Sequence, residues 1–280
     1  MQIIRTKQEL RQAISALKAN GKSIGFVPTM GALHPGHISL IDIAKSKADA
    51  VVSSIFVNPA QFAPHEDFDK YPRTEQSDLA RLEISGVSIA YLPNKAEIYP
   101  ENFSTQISMG NIGKILEGVS RPHFFDGVAL VVTKLFMQVM PDIAIFGEKD
   151  YQQLTVIKKL VRELDIPVEV IGAPILREED GLAMSSRNVY LGSEARKISS
   201  NLYKVLNIIK EKLIAGEDVK QTLLWGETEL LKAGFEQVDY LTLCNAETLE
   251  TTEDLQEPVR LLATVRISGI RLLDNIAIIL

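Results

Sequence analysis

The chain has 280 residues, 46% of them apolar and 24% charged, a globular composition with length for about two domains. Its net charge of −6 and scattered basic residues speak against a nucleic-acid-binding surface, and no apolar run is long enough to cross a bilayer. The single cysteine, Cys244, excludes an internal disulfide and fits a reducing cytoplasm, and the opening "MQIIRTKQELRQ" turns polar too early for a secretory leader.

Leu10, Ile14 and Leu17 recur at helical spacing and Gly21 follows as a stop, so a helix is expected from Thr6 to Asn20. "SIGFVP", Ser23 to Pro28, has the pattern of a buried strand, and a helix is expected from Pro35, a residue suited to the first helical position. A second buried strand, Ala50 to Pro59, ends in Asn-Pro. "TEQSDLARLEISG" is a helix, "VSIAYLP" a strand, "GVALVVTKLFMQVM" a long apolar helix, "DIAIFG" a strand, "EKDYQQLTVIKKLVREL" a helix and "PVEVIGAP" a strand.

Nearly continuous apolar strands joined by helices imply an α/β fold with a doubly wound parallel sheet. Ligands in such sheets bind beyond the strands' carboxyl ends, near the topological switch point. After "REEDGLAMSSRNVYLGSEAR" the character changes. Helices are expected around Glu194 to Ala215 and Val219 to Ala233, then a strand "VDYLTLCN" and a hairpin "RLLATVRISGIRLLDNIAII". The division expected is 1–180 and 181–280, the second part a smaller α+β domain.

"FVPTMGALHPGHISLI", Phe26 to Ile41, carries two histidines three apart, His34 and His37. A catalytic zinc site needs at least three protein ligands; His65 and His123 lie far off, and neither HExxH nor CxxC occurs. The GxGxxG of dinucleotide folds is absent, and His37-Ile38 stands where a P-loop needs Lys-Ser/Thr. A phosphate cradle remains. A helix starting at Pro35 directs N–H groups and its positive dipole end at the strand terminus, and glycines admit a phosphate to the backbone. The imidazoles add donors that stabilise charge on a leaving pyrophosphate. The bland alternative is a strand turning into a helix.

"FGEKDYQQ" places Glu148, Lys149 and Asp150 at a strand end. Lysine there opposes the helix dipole, which an anionic ligand would explain, and Gln153 follows at helical i+4 spacing. "VNPAQF" offers the amides of Asn58 and Gln61 for hydroxyls and carboxylates. In "GLAMSSRN", Ser185, Ser186 and Arg187 could grip phosphates, or form a polar linker.

Together "VPTMGALHPGH", "SIFVNPAQF", "YPRT", "EIYP", "LEGVSRP", "PDIAIFGEKDYQQL" and "DGLAMSSRN" resemble the pantoate–β-alanine ligases, with a weaker echo in "GIRLLDN". His34-Pro35-Gly36-His37 matches the HxGH signature of the wider nucleotidyltransferase superfamily. The resemblance implies a Rossmann-like fold of nucleotidyltransferase type whose smaller domain is a lid. It implies that ATP, with Mg²⁺ on its phosphates, adenylates (R)-pantoate and that β-alanine then displaces AMP. Carried over, Met30, Gly31, Ala32, Leu33, His34, Pro35, Gly36 and His37 line the ATP site, with His37 as the acid and His34 its phosphate-binding partner. Gly147, Glu148, Lys149 and Asp150 also bind ATP, as do Met184, Ser185, Ser186 and Arg187. Leu176 makes a backbone contact to adenine. The implied catalytic set is His37, His34, Lys149 and Arg187. Gln61, Gln153 and Asn58 hold pantoate, and Gln61 also serves β-alanine. The Mg²⁺ ligands stay unknown. A homodimer joined through the first domain is implied, and a cytoplasmic location is expected. The alternative is a nucleotidyltransferase that keeps the nucleotide in its product. One departure stands out: the family has Gly-His-Phe after "SRP", where this chain has His123-Phe124-Phe125.

Overall fold

Thr6 accepts the Glu9 backbone N–H on its hydroxyl, and the Glu9 carboxylate accepts the Thr6 N–H. This capping box starts α1, Lys7–Ala19, which buries Leu10 and Ile14. The computed structural model describes residues 1–62, 68 and 71–279. His65 lies outside the described residues.

The strands β1 (Gln2–Ile4), β2 (Ile24–Thr29), β3 (Ala50–Ile55), β4 (Ile89–Tyr91), β5 (Ile143–Gly147) and β6 (Glu169–Ala173) form one parallel sheet in the order β1-β4-β3-β2-β5-β6. Its connections include α2 (Pro35–Lys47), α3 (Glu75–Ile84), the short α4 (Lys95–Ile98) and α5 (Glu117–Ser120), α6 (Phe124–Val139) and α7 (Tyr151–Glu163). Phe26, Ile24 and Ile145 are fully buried, as strands covered on both faces require. From β2 the chain winds outward through β3 and β4; β5 returns to the other side of β2 and leads to β6. The switch point therefore lies between β2 and β5, whose carboxyl ends carry Met30 and Gly147.

A second sheet is antiparallel, with β7 (Gln237–Asn245), β8 (Val259–Ile267) and β9 (Ile270–Ile278) in sequence order. Over it pack α9 (Asn201–Ile214) and α10 (Val219–Lys232), with Leu206, Ile209, Leu230 and Leu261 in the core. The first compact unit is Met1–Glu148 with Gln152–Pro174; the second is Lys149–Tyr151 with Ile175–Leu280.

Four details differ from the sequence reading. The edge strand β1 was not expected, since only Ile4 of its three residues is buried. β3 stops at Ile55, because Pro59 lacks the N–H a strand needs and opens a 3-10 turn, Pro59–Gln61. The single helix expected from Glu194 is two, α8 (Ser193–Ser199) and α9. The Ser199 and Ser200 hydroxyls donate back to the carbonyls of Ala195 and Lys197 at the break. The boundary falls after Pro174, not at 180/181, because Arg177 is bonded to Asp274 of β9.

Candidate functional site

At the end of β2 the Thr29 hydroxyl donates to the Ser54 carbonyl at 2.8 Å and accepts the Gly31 N–H at 3.2 Å. Gly31 has φ +84°, and a Cβ there would lie 3.1 Å from the Asp78 carboxylate, so glycine suits the turn on both counts. Ala32 also sits at positive φ, 51°, a conformation that persists only when its surroundings hold it. Asp78 of α3 does so. Its two oxygens accept the Ala32 and Leu33 N–H groups at 2.9 and 2.8 Å, and the Thr74 hydroxyl at 3.0 Å, in a side chain 1% exposed.

His34 is the N-cap of α2 and Pro35 its first residue. The His34 Nδ1 accepts the Gly36 N–H at 3.1 Å, and the His37 Nδ1 accepts the His34 N–H at 3.2 Å. This is a capping box built from two imidazoles, with ring centroids 4.1 Å apart. A backbone N–H can only donate, so both Nδ1 atoms are unprotonated. In each neutral ring the proton then sits on Nε2. No acidic residue stands in the first turn of α2 to cancel the helix dipole.

Beyond β3, Asn58 is 1% exposed. Its Nδ2 donates to the Gln61 Oε1 at 2.9 Å and the Gly127 carbonyl at 3.2 Å. Its Oδ1 accepts the Tyr99 hydroxyl at 2.8 Å and the Ala60 N–H at 3.3 Å. With the Gln61 Oε1 engaged, Gln61 presents its Nε2 as the donor end. Burial pushes the Tyr99 hydroxyl up to about 12, against the Asn58 hydrogen bond, so it remains a donor at neutral pH. Asn58, expected among the pantoate contacts, is thus fully occupied in orienting Gln61. The turn also meets α6 closely: a Cβ at Gly127 would lie 2.2 Å from the Ala60 carbonyl oxygen.

The "SRP" departure has a local explanation. Arg121 donates to the Gln61 carbonyl at 3.0 Å, and its guanidinium lies 3.8 Å from the centroid of the Phe124 ring. Phe124 supplies a face for cation–π stacking. His123, where the family has glycine, occupies the left-handed region at φ 68°.

Glu148, Lys149 and Asp150 form a 3-10 turn before α7, so the helical i+4 relation expected between Lys149 and Gln153 does not hold. The Lys149 ammonium lies 3.6 Å from the Asp150 carboxylate, and Gln153 is half-buried. The neighbouring Gln152 is structural: its amide bonds the carbonyls of Ile112 and Ile115 and the Glu117 N–H. In the second unit the Leu176 carbonyl accepts the Met184 N–H at 3.0 Å. Ser185 caps the 3-10 turn Ser186–Tyr190 by accepting the Arg187 N–H at 3.3 Å.

Within the first unit, β2 and β3 therefore bring the turn Met30 to His37 and the Asn58/Gln61 pair to the same end of the sheet, with Gly147 ending the adjacent β5. Asp78, Thr74, Tyr99 and Arg121 were not singled out as functional in the sequence. Thr74 and Tyr99 lie in "YPRT" and "EIYP", and a carboxylate four residues after Thr74 was the available signal.

Comparison with known proteins gives the same direction. The family model described as pantoate-beta-alanine ligase matches residues 2–277. A pantothenate synthetase of Rhodospirillum rubrum is 50% identical over 277 residues, 99% of this chain and 98% of that protein. The crystal structure of pantothenate synthetase from Thermus thermophilus is 44% identical, covers all of both chains and superposes with a TM-score of 0.94. The Francisella tularensis pantoate-beta-alanine ligase, solved with a β,γ ATP compound and β-alanine, is 34% identical. It covers 99% of this chain and 97% of its own, with a TM-score of 0.84. On the turn, the sheet order and these full-length matches, the chain belongs to the pantoate–β-alanine ligase family.

Proposed function

We propose that the chain condenses (R)-pantoate with β-alanine to pantothenate through a pantoyl adenylate, and that the His34/His37 capping box is the element that drives the first step. The observation that carries this is the shared acceptor role of the two Nδ1 atoms. It makes each Nε2 a donor on a helix N-terminus, where donors suit the phosphates of ATP.

In the first half-reaction a pantoate carboxylate oxygen attacks the α-phosphorus and the α–β bridging oxygen leaves with pyrophosphate. That transfer needs positioning and charge neutralisation more than a nucleophilic side chain. His34 and His37 stabilise the charge growing on the leaving group, with Lys149 and Arg187 assigned to the phosphates. Met30 to His37, Gly147 to Asp150 and Met184 to Arg187 hold ATP, and a Leu176 backbone group meets adenine. The Gln61 Nε2 donates to pantoate, aided by Gln153, while Asn58 acts through Gln61. In the second half-reaction the β-alanine amine, near Gln61, attacks the acyl carbonyl. AMP leaves with the C–O bond electrons and the amine gives up a proton.

Among the described residues no group of three His, Cys, Asp or Glu side chains is placed to hold a metal. Mg²⁺ is proposed to arrive with ATP, coordinated mainly by phosphates and water. The family resemblance supports a homodimer, which light scattering would check, and the single cysteine fits a reducing cytoplasm. Among the described residues no helix is long and apolar enough to cross a membrane.

The test separates the half-reactions. Pyrophosphate should appear with ATP, Mg²⁺ and pantoate alone, and AMP only when β-alanine is added. Pyrophosphate appearing only with a nucleotide-accepting substrate would favour a nucleotidyltransferase instead.

A further inference from the structure

Asp274 and Asn275 are consecutive residues of β9 and are 3% and 1% exposed. They lie in the segment "GIRLLDN", whose sequence gives them no role. Polar side chains so deeply buried must be bonded, and their partners show what they hold.

Asp274 takes Arg177 bidentately, with Nη1 at 2.6 Å and Nη2 at 2.9 Å, and the guanidinium lies 3.7 Å from the centroid of the Tyr203 ring. Arg177 also donates to the Gly181 carbonyl at 3.0 Å and pairs with Ala183 across an antiparallel bridge. One residue outward, the Met184 N–H meets the Leu176 carbonyl. Asp274 therefore fixes the hairpin from which Met184 to Arg187 emerges.

Asn275 holds a different segment. Its Nδ2 donates to the Lys149 carbonyl at 2.9 Å, and its Oδ1 accepts the Arg260 Nε at 2.6 Å. The Arg260 guanidinium covers the Tyr151 ring at 4.1 Å, and the Tyr151 hydroxyl donates to the Ala246 carbonyl at 3.0 Å. The three residues Lys149–Tyr151 group with the second unit although their chain neighbours on both sides belong to the first.

We infer that Asp274 and Asn275 form a positioning pair for adenylation, setting the backbone of Lys149 and the base of the Met184–Arg187 segment from one strand. This rests on the reading that Lys149 and Arg187 serve the ATP phosphates. A purely packing role would need neither a donor aimed at a lysine carbonyl nor a forked carboxylate at the hairpin base; apolar residues of similar volume often replace buried ion pairs without loss of stability. A phosphate-binding cation gains from such anchoring because a displacement of about 1 Å can cost about a hundredfold in rate.

The discriminating variant is Asn275→Asp. It keeps the shape and the acceptor for Arg260 but turns the donor facing the Lys149 carbonyl into an oxygen. Single-turnover pyrophosphate release should fall about tenfold to a hundredfold, while β-alanine attack on supplied pantoyl adenylate stays within about twofold. Equal loss in both half-reactions, or in neither, overturns the inference. Combined with Lys149→Ala, the Asn275→Asp effect should shrink to within about twofold, because one acts through the other. If Lys149→Ala cripples adenylation and Asn275→Asp still adds in full, the positioning role alone fails. If Lys149→Ala leaves adenylation intact, the assignment of Lys149 fails and takes the inference with it. Circular dichroism checks folding, and Asn275→Ser carries the same measurements if the aspartate variant does not fold.

Discussion

The backbone N–H of His34 ends on the Nδ1 of His37, 3.2 Å away, so the imidazole proposed to serve ATP also closes the first turn of its own helix. Glutamine is a favoured residue at that third helical position and can close the box, whereas alanine cannot. His37→Gln should therefore keep stability within about 0.5 kcal/mol and His37→Ala lose about 1 kcal/mol. Both should lose adenylation about a hundredfold, because alanine has no donor and the glutamine amide, though a donor, cannot act as an acid or carry charge as an imidazole can. Urea titration beside pyrophosphate release checks this; a fully active His37→Gln enzyme would return the motif to a structural cap.

The carboxylate of Asp78 takes three donors while buried. Asp78→Asn replaces one acceptor oxygen with an NH₂ group that faces a donor. A loss of about 2 kcal/mol is expected from the unsatisfied contact, with a raised KM for ATP as Ala32 relaxes from its positive φ. Stability and KM measured on the same preparation decide it: normal values for both would show that the turn holds itself.

Tyr99 bonds Asn58, which bonds Gln61, the residue proposed to hold pantoate. Tyr99→Phe removes the phenol donor but leaves the ring packed near Phe56 and Phe103. The expected result is a KM for pantoate raised about threefold to tenfold and a stability loss of about 1 kcal/mol, with the KM for ATP unchanged. Parallel increases in both KM values would point to a general distortion.

Asp239 joins Arg266 and Arg271 across the second unit's sheet. Burial raises its pKa, but the hydrogen bonds from the two arginines outweigh that and hold it below its ordinary 3.8. A depressed carboxylate contributes stability above its unfolded pKa and loses it as pH falls through the folded value. Resistance of this unit to urea should weaken below about pH 4, and Asp239→Asn should flatten that fall while lowering stability at pH 7. An unchanged slope would remove Asp239 from the acid response.

Periodicity made the sheet legible. The runs that became β2, β3 and β5 are mostly apolar, so burial on both faces follows from the residues themselves, as does the helix start at Pro35. The supports of the site were not legible. Asp78 reaches Ala32 over 46 positions, and Asn275 reaches Lys149 over 126. No local pattern encodes such contacts; pairing needs the folded topology. Asn58 misled in the opposite sense, because an amide beside a strand end looks available until its four partners are in place. Tyr99 and Thr74 sat inside recognisable segments whose roles appear only with their acceptors.

Gly127 gives α6 its close seat against the Ala60 carbonyl. A saturation library scored by growth without supplied pantothenate should therefore mark position 127 as intolerant as His37, although its close contact is with the Ala60 backbone. Depletion in such a screen measures whether the helix can press the "NPAQ" turn into place. Inhibitor design inherits the same constraint: resistance by substitution at this contact would displace the turn that carries Gln61, so a compound that reads this turn closes one escape route.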